Sequence, residues 1–299
     1  MSVVMMSLDV VFNFFLIFPT RPVELFGTPM TMPGMGLGVV GAAMGTVSAE
    51  LVAASITMYI LCFRSKELSL RIDTGRFLPT WGVVKRALHI SLPMGLQQTI
   101  MCSAYVMTTI IIAPLGTFAI AANSFGIIIE SLCYMPGYGI ADAATTLVGQ
   151  SMGAGRHELM KRFAWLSVGL GVTVMAVMGV VMYVGAPTAM AMMTPAEEVR
   201  RLGVEVLRIE AFAEPMFAAA IVSYGVFVGA AKTLVPSIMN LISIWGVRIS
   251  LAAMLAPSMG LRGVWIAMCI ELCFRGLIFL VKLKFWNIQT SCKHYGKDQ

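Results

Sequence analysis

Long apolar runs constrain the fold of this chain more than any other feature of its sequence. An α-helix needs about 20 apolar residues to cross a bilayer, and eight runs are long enough. The predicted spans are residues 3–19, 36–63, 91–113, 118–150, 163–185, 203–230, 234–256 and 261–283. Only 12% of the residues are charged, about half the share usual in a soluble domain. The sequence therefore predicts an all-α, multi-pass membrane protein with eight transmembrane helices.

The Lys and Arg residues lie mainly in the gaps between these runs, and their distribution predicts an orientation. If the gap after the second span is cytoplasmic, that side carries fourteen of them and the opposite side four. Because cytoplasmic loops are enriched in positive charge, we expect both termini to be cytoplasmic and the membrane to be the plasma, or inner, membrane. The net charge of +6 is spread over loops, so no nucleic-acid-binding face is predicted.

Residue types that carry catalysis or hold metals are sparse. None of the six cysteines forms a CxxC pair, and the three histidines lack metal-ligand spacing. The sequence contains no recognisable nucleophile–base arrangement or phosphate-binding loop. We therefore expect no enzyme activity, no metal site and no cofactor.

Two segments of the sequence resemble each other. MGLGVVGAAM (residues 35–44) and MGLRGVWIAM (residues 259–268) share six of ten positions without a gap. Each copy begins a span after a proline-containing loop, which favours duplication of a six-helix unit in parallel orientation. Such a duplication predicts a twelve-helix parent protein, with four helices preceding Met1.

The duplication also predicts a domain organisation. Residues 1–63 are the last two helices of an amino-terminal lobe, 91–288 a six-helix carboxy-terminal lobe and 289–299 a cytoplasmic tail. Residues 64–90 connect the lobes. Within this connector, FLPTWGVVKRALHI (residues 77–90) separates apolar from basic positions at helical spacing and is predicted to lie along the membrane surface.

Four segments combine small, polar and proline residues within apolar helices: LPMGLQQ (92–98), GTFAIAAN (116–123), ESLCYMPGYGIADAATTLVGQSMGAG (130–155) and GLRGVWIAMCIELCFRG (260–276). They resemble the MATE family of multidrug exporters. The resemblance implies a V-shaped fold of two six-helix lobes. It also implies antiport of small cationic amphiphilic compounds against H⁺ or Na⁺. We expect the full-length protein to act in the lipid bilayer as a monomer.

The resemblance also bears on one binding position. Gln97 and Gln98 lie in the region where some family members carry a cation-binding glutamate in their seventh helix. Gln98 is therefore a candidate substrate- or cation-binding residue.

Carboxylates inside the apolar runs are the main candidates for a binding site. A charge at the bilayer centre costs at least about 2.5–3.5 kcal/mol, so each needs a partner, a watery cavity or a proton. Glu130 lies near the middle of the fourth span, and Asp142 lies about 18 Å further along the same helix. Glu130 is thus the stronger candidate for binding a cation, with Asp142 and the central Glu50 as further candidates.

Two pairs of charged residues in the spans have helical i,i+4 spacing. Glu210 and Glu214 are predicted to share a helical face, where they bind a cation or are neutralised by arginine. Glu271 and Arg275 are predicted to form a structural ion pair, with Arg248 as a further partner. If the six intramembrane carboxylates face one cavity with the three intramembrane arginines, the acidic surplus favours cationic substrates.

Proline and tyrosine complete the set of candidates. Pro136 and Gly137 interrupt the fourth span between two carboxylates and are predicted to form a hinge. Tyr134 is a candidate for cation–π contact with a substrate.

Two alternative functions remain open: a flippase-like transporter of anionic lipid-linked precursors, and a membrane fragment or scaffold that transports nothing.

Overall fold

The computed structural model describes residues 2–25, 28–64 and 80–286. The chain divides into two compact units, Met1–Pro79 and Thr80–Gln299. Most of the predicted connector, together with the predicted tail, lies outside the described residues. The domain limits proposed from the sequence therefore stay predictions.

The first unit contains two apolar helices, α1 and α2, joined by a β-hairpin. These elements are α1 (Ser2–Ile17), β1 (Pro19–Leu25), β2 (Thr28–Met35) and α2 (Gly38–Tyr59), which continues as a π-helical turn over Ile60–Arg64. The two helices cross closely at Gly41 and Gly45. A Cβ atom at either position would overlap atoms of α1, the backbone at Gly41 and the Asn13 side chain at Gly45. The small residues therefore permit the close packing, as is common between membrane helices.

The hairpin corrects one expectation from the sequence. The segment between the first two spans was expected to be a proline-containing loop. It pairs instead as antiparallel strands, with Pro19 opposite Met35 and Leu25 opposite Thr28. Two prolines in β1 are compatible with pairing because each strand has a partner on only one side.

The second unit is entirely helical within its described residues. Its helices are α3 (Trp81–Ile112), α4 (Thr117–Gly153), α5 (His157–Met193), α6 (Glu197–Glu210), α7 (Glu214–Gly229), α8 (Leu234–Leu241), α9 (Ser250–Met259) and α10 (Leu261–Lys284). A π-helical stretch, Ile242–Ile249, links α8 to α9 in one continuous span. Gly116 and Gly260 have positive φ angles and form the turns before α4 and α10.

Most of the predicted spans are confirmed. Six described helices are long and apolar enough to cross a membrane, and α6 with α7 forms a seventh candidate span that bends by 59°. The first predicted span, residues 3–19, corresponds to the shorter apolar helix α1, which has 16 residues. The structure thus supports an all-α polytopic membrane protein that also carries one hairpin in its described part.

The predicted surface helix is not separate from the third span. Helix α3 begins at Trp81 and continues without interruption through Pro93 to Ile112. The candidate membrane span within α3 begins at Ser91, as predicted, and residues 81–90 belong to the same helix; their location along the membrane surface stays a prediction. The polar positions of this segment form the first turns of a 32-residue helix.

Helices α4, α5, α7 and α10 pack together around the main core of the second unit. Small residues bring α7 against α4: a Cβ atom at Gly225 would lie 2.6 Å from the Ala141 carbonyl oxygen. The Thr145 hydroxyl uses this proximity to donate a hydrogen bond of 2.8 Å to the Gly225 carbonyl. This packing holds α4 and α7 rigidly on two sides of a cavity.

Candidate functional site: a polar and aromatic cavity

A cavity of about 260 Å³ lies among the helices of the second unit. Its polar lining residues are Gln97, Gln98, Glu130, Asn240, Arg248 and Arg275. Its aromatic lining residues are Tyr105, Tyr134, Tyr138, Phe217 and Tyr224. Helices α3, α4, α7 and α10 and the π-helical stretch all contribute to the wall. The cavity therefore combines aromatic surface with charges of both signs.

Helix α4 supplies a stripe of cavity residues at i,i+4 spacing. Glu130, Tyr134 and Tyr138 follow one another on one face of the helix. The Tyr134 ring meets the Tyr138 ring edge-on at 5.5 Å between centroids and the Phe217 ring at 5.7 Å. These geometries are the favourable ones for aromatic pairs, so the Tyr134 ring is held in place before any ligand arrives.

Glu130 is the one intramembrane carboxylate, among the described residues, that lines the cavity. Its side chain is buried, with 7% of the residue exposed. It interacts electrostatically with Arg248 and Arg275, which come from other helices. Helix α4 continues through the predicted hinge at Pro136 and Gly137 without a break. The helix is therefore not interrupted there, and the hinge stays a prediction.

The predicted ion pair of α10 is confirmed. The Arg275 Nε atom lies 3.1 Å from Glu271 Oε1, and both side chains are buried. The Ser243 hydroxyl donates a 2.6 Å hydrogen bond to the same carboxylate oxygen. The Arg275 guanidinium also lies 5.4 Å from the centroid of the Phe217 ring. Glu271 thus balances the charge of Arg275 beside the cavity.

Arg248 occupies a different position from the one predicted. It lies in the π-helical stretch and lines the cavity, where its Nη2 atom contacts Met268 Sδ. It makes no ion pair within 4 Å among the described residues, so it does not join the Glu271–Arg275 pair. π-Helical segments are frequent at functional sites because they re-aim side chains, and here the segment directs a cation into the cavity.

Glu210 and Glu214 do not share a helical face. Helix α6 ends at Glu210 and α7 begins at Glu214, with the 59° bend between them. Both residues are 1% exposed, and three of their four carboxylate oxygens lack a hydrogen-bond partner in the described structure. Both interact electrostatically with Glu130. They therefore form a buried acidic layer behind the cavity and are not part of its lining.

Asp142 lies away from the cavity, and Glu50 belongs to the first unit. Asp142 is exposed on α4, about three turns from Glu130, and does not line it. Glu50 is exposed on α2 in the first unit. The acidic surplus inferred from the sequence assumed that most carboxylates share one cavity, and the described structure contradicts that assumption.

Sequence reasoning missed several residues of the wall. Tyr105 and Asn240 line the cavity beside Gln97 and Gln98, which the resemblance pointed to, and Gln97 Oε1 accepts a 2.7 Å hydrogen bond from Ser237. Tyr105 and Asn240 were not predicted. They are uncharged residues in otherwise apolar runs, so nothing local distinguishes them from residues that pack against lipid. Their only common signal is polarity within a span, which is also shared by many residues outside the cavity.

A family comparison agrees with this architecture. The model of the MatE family matches residues 93–254, more than half of the chain. The chain belongs to the MatE family. The match covers every helix of the cavity except α10, so the family signal and the candidate site come from the same part of the chain.

Relatives and solved structures of MatE-type proteins extend the match. A probable multidrug resistance protein NorM of Thermotoga maritima is 28% identical over 250 residues, covering 82% of this chain and 53% of its own length. The corresponding protein of Chromobacterium violaceum is 28% identical over 305 residues, covering 100% of this chain and 62% of its own. The chain thus spans between half and two thirds of the length of these relatives.

Two solved structures share the fold. The outward-facing conformation of a multidrug resistance MATE family transporter superposes with a TM-score of 0.84 at 20% identity, over 97% of this chain and 62% of that one. A MOP superfamily transporter from Pyrococcus furiosus, described as having a binding pocket of reverse polarity, superposes with a TM-score of 0.81 at 20% identity. It covers 94% of this chain and 60% of that one.

Proposed function

We propose that the full-length protein is a secondary active transporter that exports cationic drugs or toxic compounds. Two lines of support are family membership and the similarity to proteins named as multidrug resistance proteins. We further propose that the protein works as a monomer in the plasma (inner) membrane with both termini cytoplasmic, and that H⁺ or Na⁺ drives the export.

The observation that carries this proposal is Glu130. A buried carboxylate faces an aromatic cavity of about 260 Å³ inside a membrane helix bundle. A single negative charge neutralises one cation at a time, so a bound H⁺ or Na⁺ and a cationic substrate compete for it. Such competition is the physical requirement for antiport. The Tyr134 and Tyr138 rings offer faces on which an organic cation can stack.

Arg248 and Arg275 determine the electrostatic surroundings of Glu130 when no substrate is bound. Both arginines act on Glu130, while Glu271 already balances Arg275. Arg248 is thus the cation that remains for Glu130 when no substrate is bound. We propose that an incoming organic cation displaces this interaction, which allows the aromatic wall to close on the substrate.

The test is export by the full-length protein carrying Glu130→Gln. Proteoliposomes loaded with a fluorescent organic cation would be given a pH gradient, and separately a Na⁺ gradient. We expect wild type to export the dye in response to one of the two gradients. The export rate of the variant should be at least about tenfold lower, because the Glu130 carboxylate that exchanges cations is absent. Glu158→Gln, an exposed glutamate at the start of α5, is the matched control. Equal export by wild type and Glu130→Gln, with the same dependence on the gradient, would rule out Glu130 as the coupling residue.

A second function is favoured by one observation: two arginines line the cavity beside a single glutamate. This composition suits an anionic amphiphile, such as a lipid-linked precursor, whose phosphate binds guanidinium groups. Competition assays distinguish the two. Under this alternative, anionic amphiphiles would inhibit dye export better than cationic ones, and Arg248→Gln would abolish that inhibition.

A further inference from the structure

A second groove, of about 380 Å³, opens on the surface of the second unit between α5, α6 and α10. Its wall is mainly apolar and includes Tyr183, Phe212, Ile266 and Ile270. Phe212 is 72% exposed and stands at the bend between α6 and α7. One charged residue, Arg208, lies in this wall. The groove is separate from the cavity around Glu130, and no residue lines both.

Arg208 carries a positive charge that no described carboxylate balances. Glu205 is one helical turn away, but both of its carboxylate oxygens accept hydrogen bonds of 2.6 Å from Arg262. Glu210 is buried, and the arginine that acts on it is Arg248. The contact described for Arg208 is with the Tyr183 ring, whose centroid lies 5.2 Å from its Cζ atom. Within the described part of the chain, the Arg208 N–H groups have no carboxylate partner, so they can donate to a ligand.

The position of Arg208 matches the boundary between lipid headgroups and acyl chains. The partly exposed Glu205–Arg262 bridge joins α6 to the first turn of α10 and places two charged groups at that end of the helices. Arg208 lies three residues beyond Glu205, about 4.5 Å further along the helix axis. Beyond it, towards the bend, the groove is lined by apolar side chains. A tyrosine at the boundary is typical of membrane interfaces.

We propose that this groove binds an anionic phospholipid. The phosphate accepts hydrogen bonds from the Arg208 guanidinium, and one acyl chain lies along Phe212, Ile266 and Ile270. Arginine suits this role better than lysine because its planar group stacks on Tyr183 and still presents donors to a phosphate. The occupant is a lipid and not a free phosphate, since most of the groove surface is apolar. Basic pockets between membrane helices are known to select anionic headgroups in this way. The inference does not depend on transport activity.

The experiment titrates the purified full chain in detergent with phosphatidylglycerol and, separately, phosphatidylcholine. Native mass spectrometry counts the bound lipids. Both lipids carry a phosphate, but the choline ammonium of phosphatidylcholine cancels the net charge of its headgroup. We therefore expect wild type to prefer the anionic phosphatidylglycerol by about tenfold. Arg208→Gln should abolish the preference. Arg201→Gln, which removes an exposed charge from the same helix outside the groove, should keep it.

A second variant tests the acyl-chain contact independently of charge. Phe212→Ala should weaken binding of both lipids while retaining the preference for phosphatidylglycerol. Inorganic phosphate at the same concentration should displace neither lipid. The proposal is overturned if wild type binds both lipids equally, if Arg208→Gln keeps the preference, if Arg201→Gln loses it to the same extent, or if phosphate displaces the lipid.

Discussion

Two pairs of charged residues with the same sequence spacing have opposite structural outcomes. Glu271 and Arg275 lie four residues apart inside the continuous helix α10 and form a buried ion pair. Glu210 and Glu214 are also four residues apart, but the helix ends at the first and restarts at the second. The oppositely charged Glu271 and Arg275 lie in one continuous helix, and its i,i+4 spacing brings them together. The like charges lie instead on either side of a 59° bend.

The two pairs also differ in the polar groups that surround them. Ser243 donates a hydrogen bond to Glu271, so the ion pair is part of a network. Both oxygens of Glu214, one of Glu210 and one of Glu271 have no hydrogen-bond partner among the described groups, but of these three carboxylates Glu271 is the one with a described ion pair. A buried charge without a counter-charge is costly, so Arg275 and Glu271 offset part of each other's cost of burial, whereas Glu210 and Glu214 have no such partner within 4 Å in the described structure.

The largest expected effect comes from removing the cation of the buried Glu271–Arg275 pair. Arg275→Met leaves Glu271 buried without a counter-charge, and we expect a loss of about 3–5 kcal/mol in the free energy of unfolding. Chemical unfolding in detergent micelles measures it. The double variant Glu271→Gln with Arg275→Met should recover part of the loss. A single variant as stable as wild type would show that the pair contributes nothing.

A smaller effect is expected at the hydroxyl that completes the network. Ser243→Ala removes the 2.6 Å hydrogen bond to Glu271 and should cost about 1.5–3 kcal/mol, the usual range for a bond to a charged group. Ser258→Ala is the matched control, because that hydroxyl is exposed and bonds only within its own helix. If both serine variants lose the same stability, the hydrogen bond to Glu271 has no special role.

An exposed ion pair should matter less than the buried one. Arg262→Gln breaks the two 2.6 Å hydrogen bonds to Glu205, yet we expect a loss of no more than about 1 kcal/mol because solvent screens the charges. The same unfolding assay, repeated at high salt, should give a still smaller difference. A loss as large as that of Arg275→Met would contradict the distinction between the buried and exposed pairs.

The smallest effect is expected from Glu214→Gln, which tests the contrast between the two charged pairs most directly. Glu214→Gln removes one of two buried like charges and breaks no described hydrogen bond. We expect the stability to stay within about 1 kcal/mol of wild type, because a neutral amide has a lower cost of burial than a carboxylate. A loss of several kcal/mol would mean that Glu214 has a stabilising partner, and the contrast with Glu271 would then fail.

Local patterns predicted the secondary structure well and the break points poorly. The apolar runs identified most of the helices within a few residues, since a helix that crosses a membrane must be long and apolar. The sequence predicts a hinge at Pro136; α4 continues through this proline without a break, and the hinge stays a prediction. The bend lies at Ala211–Ala213, before Pro215. Proline is tolerated inside a membrane helix when its neighbours satisfy the freed carbonyl, and those neighbours cannot be identified from the sequence.

The candidate site was predicted only in part, for a related reason. Glu130 was identified because a carboxylate in an apolar run is costly and therefore informative. Arg248 was assigned to an ion pair, whereas the π-helical stretch directs it into the cavity. Tyr105 and Asn240 were not identified at all. A change of helix type and the approach of distant helices decide these positions, and neither leaves a periodic signal in the sequence.

The sequence by itself determined the membrane character, the approximate helices and the Glu271–Arg275 pair, because all three follow from residues close together in the chain. Only the tertiary structure decided which charges meet across helices. Ser243 reaches Glu271 from 28 residues away, and Trp265 donates a hydrogen bond to Asn123 across 142 residues. Such contacts depend on how helices pack, and many alternative packings satisfy the same pattern of apolar residues. The cavity around Glu130 is therefore a property of the fold, although its central carboxylate stands out in the sequence.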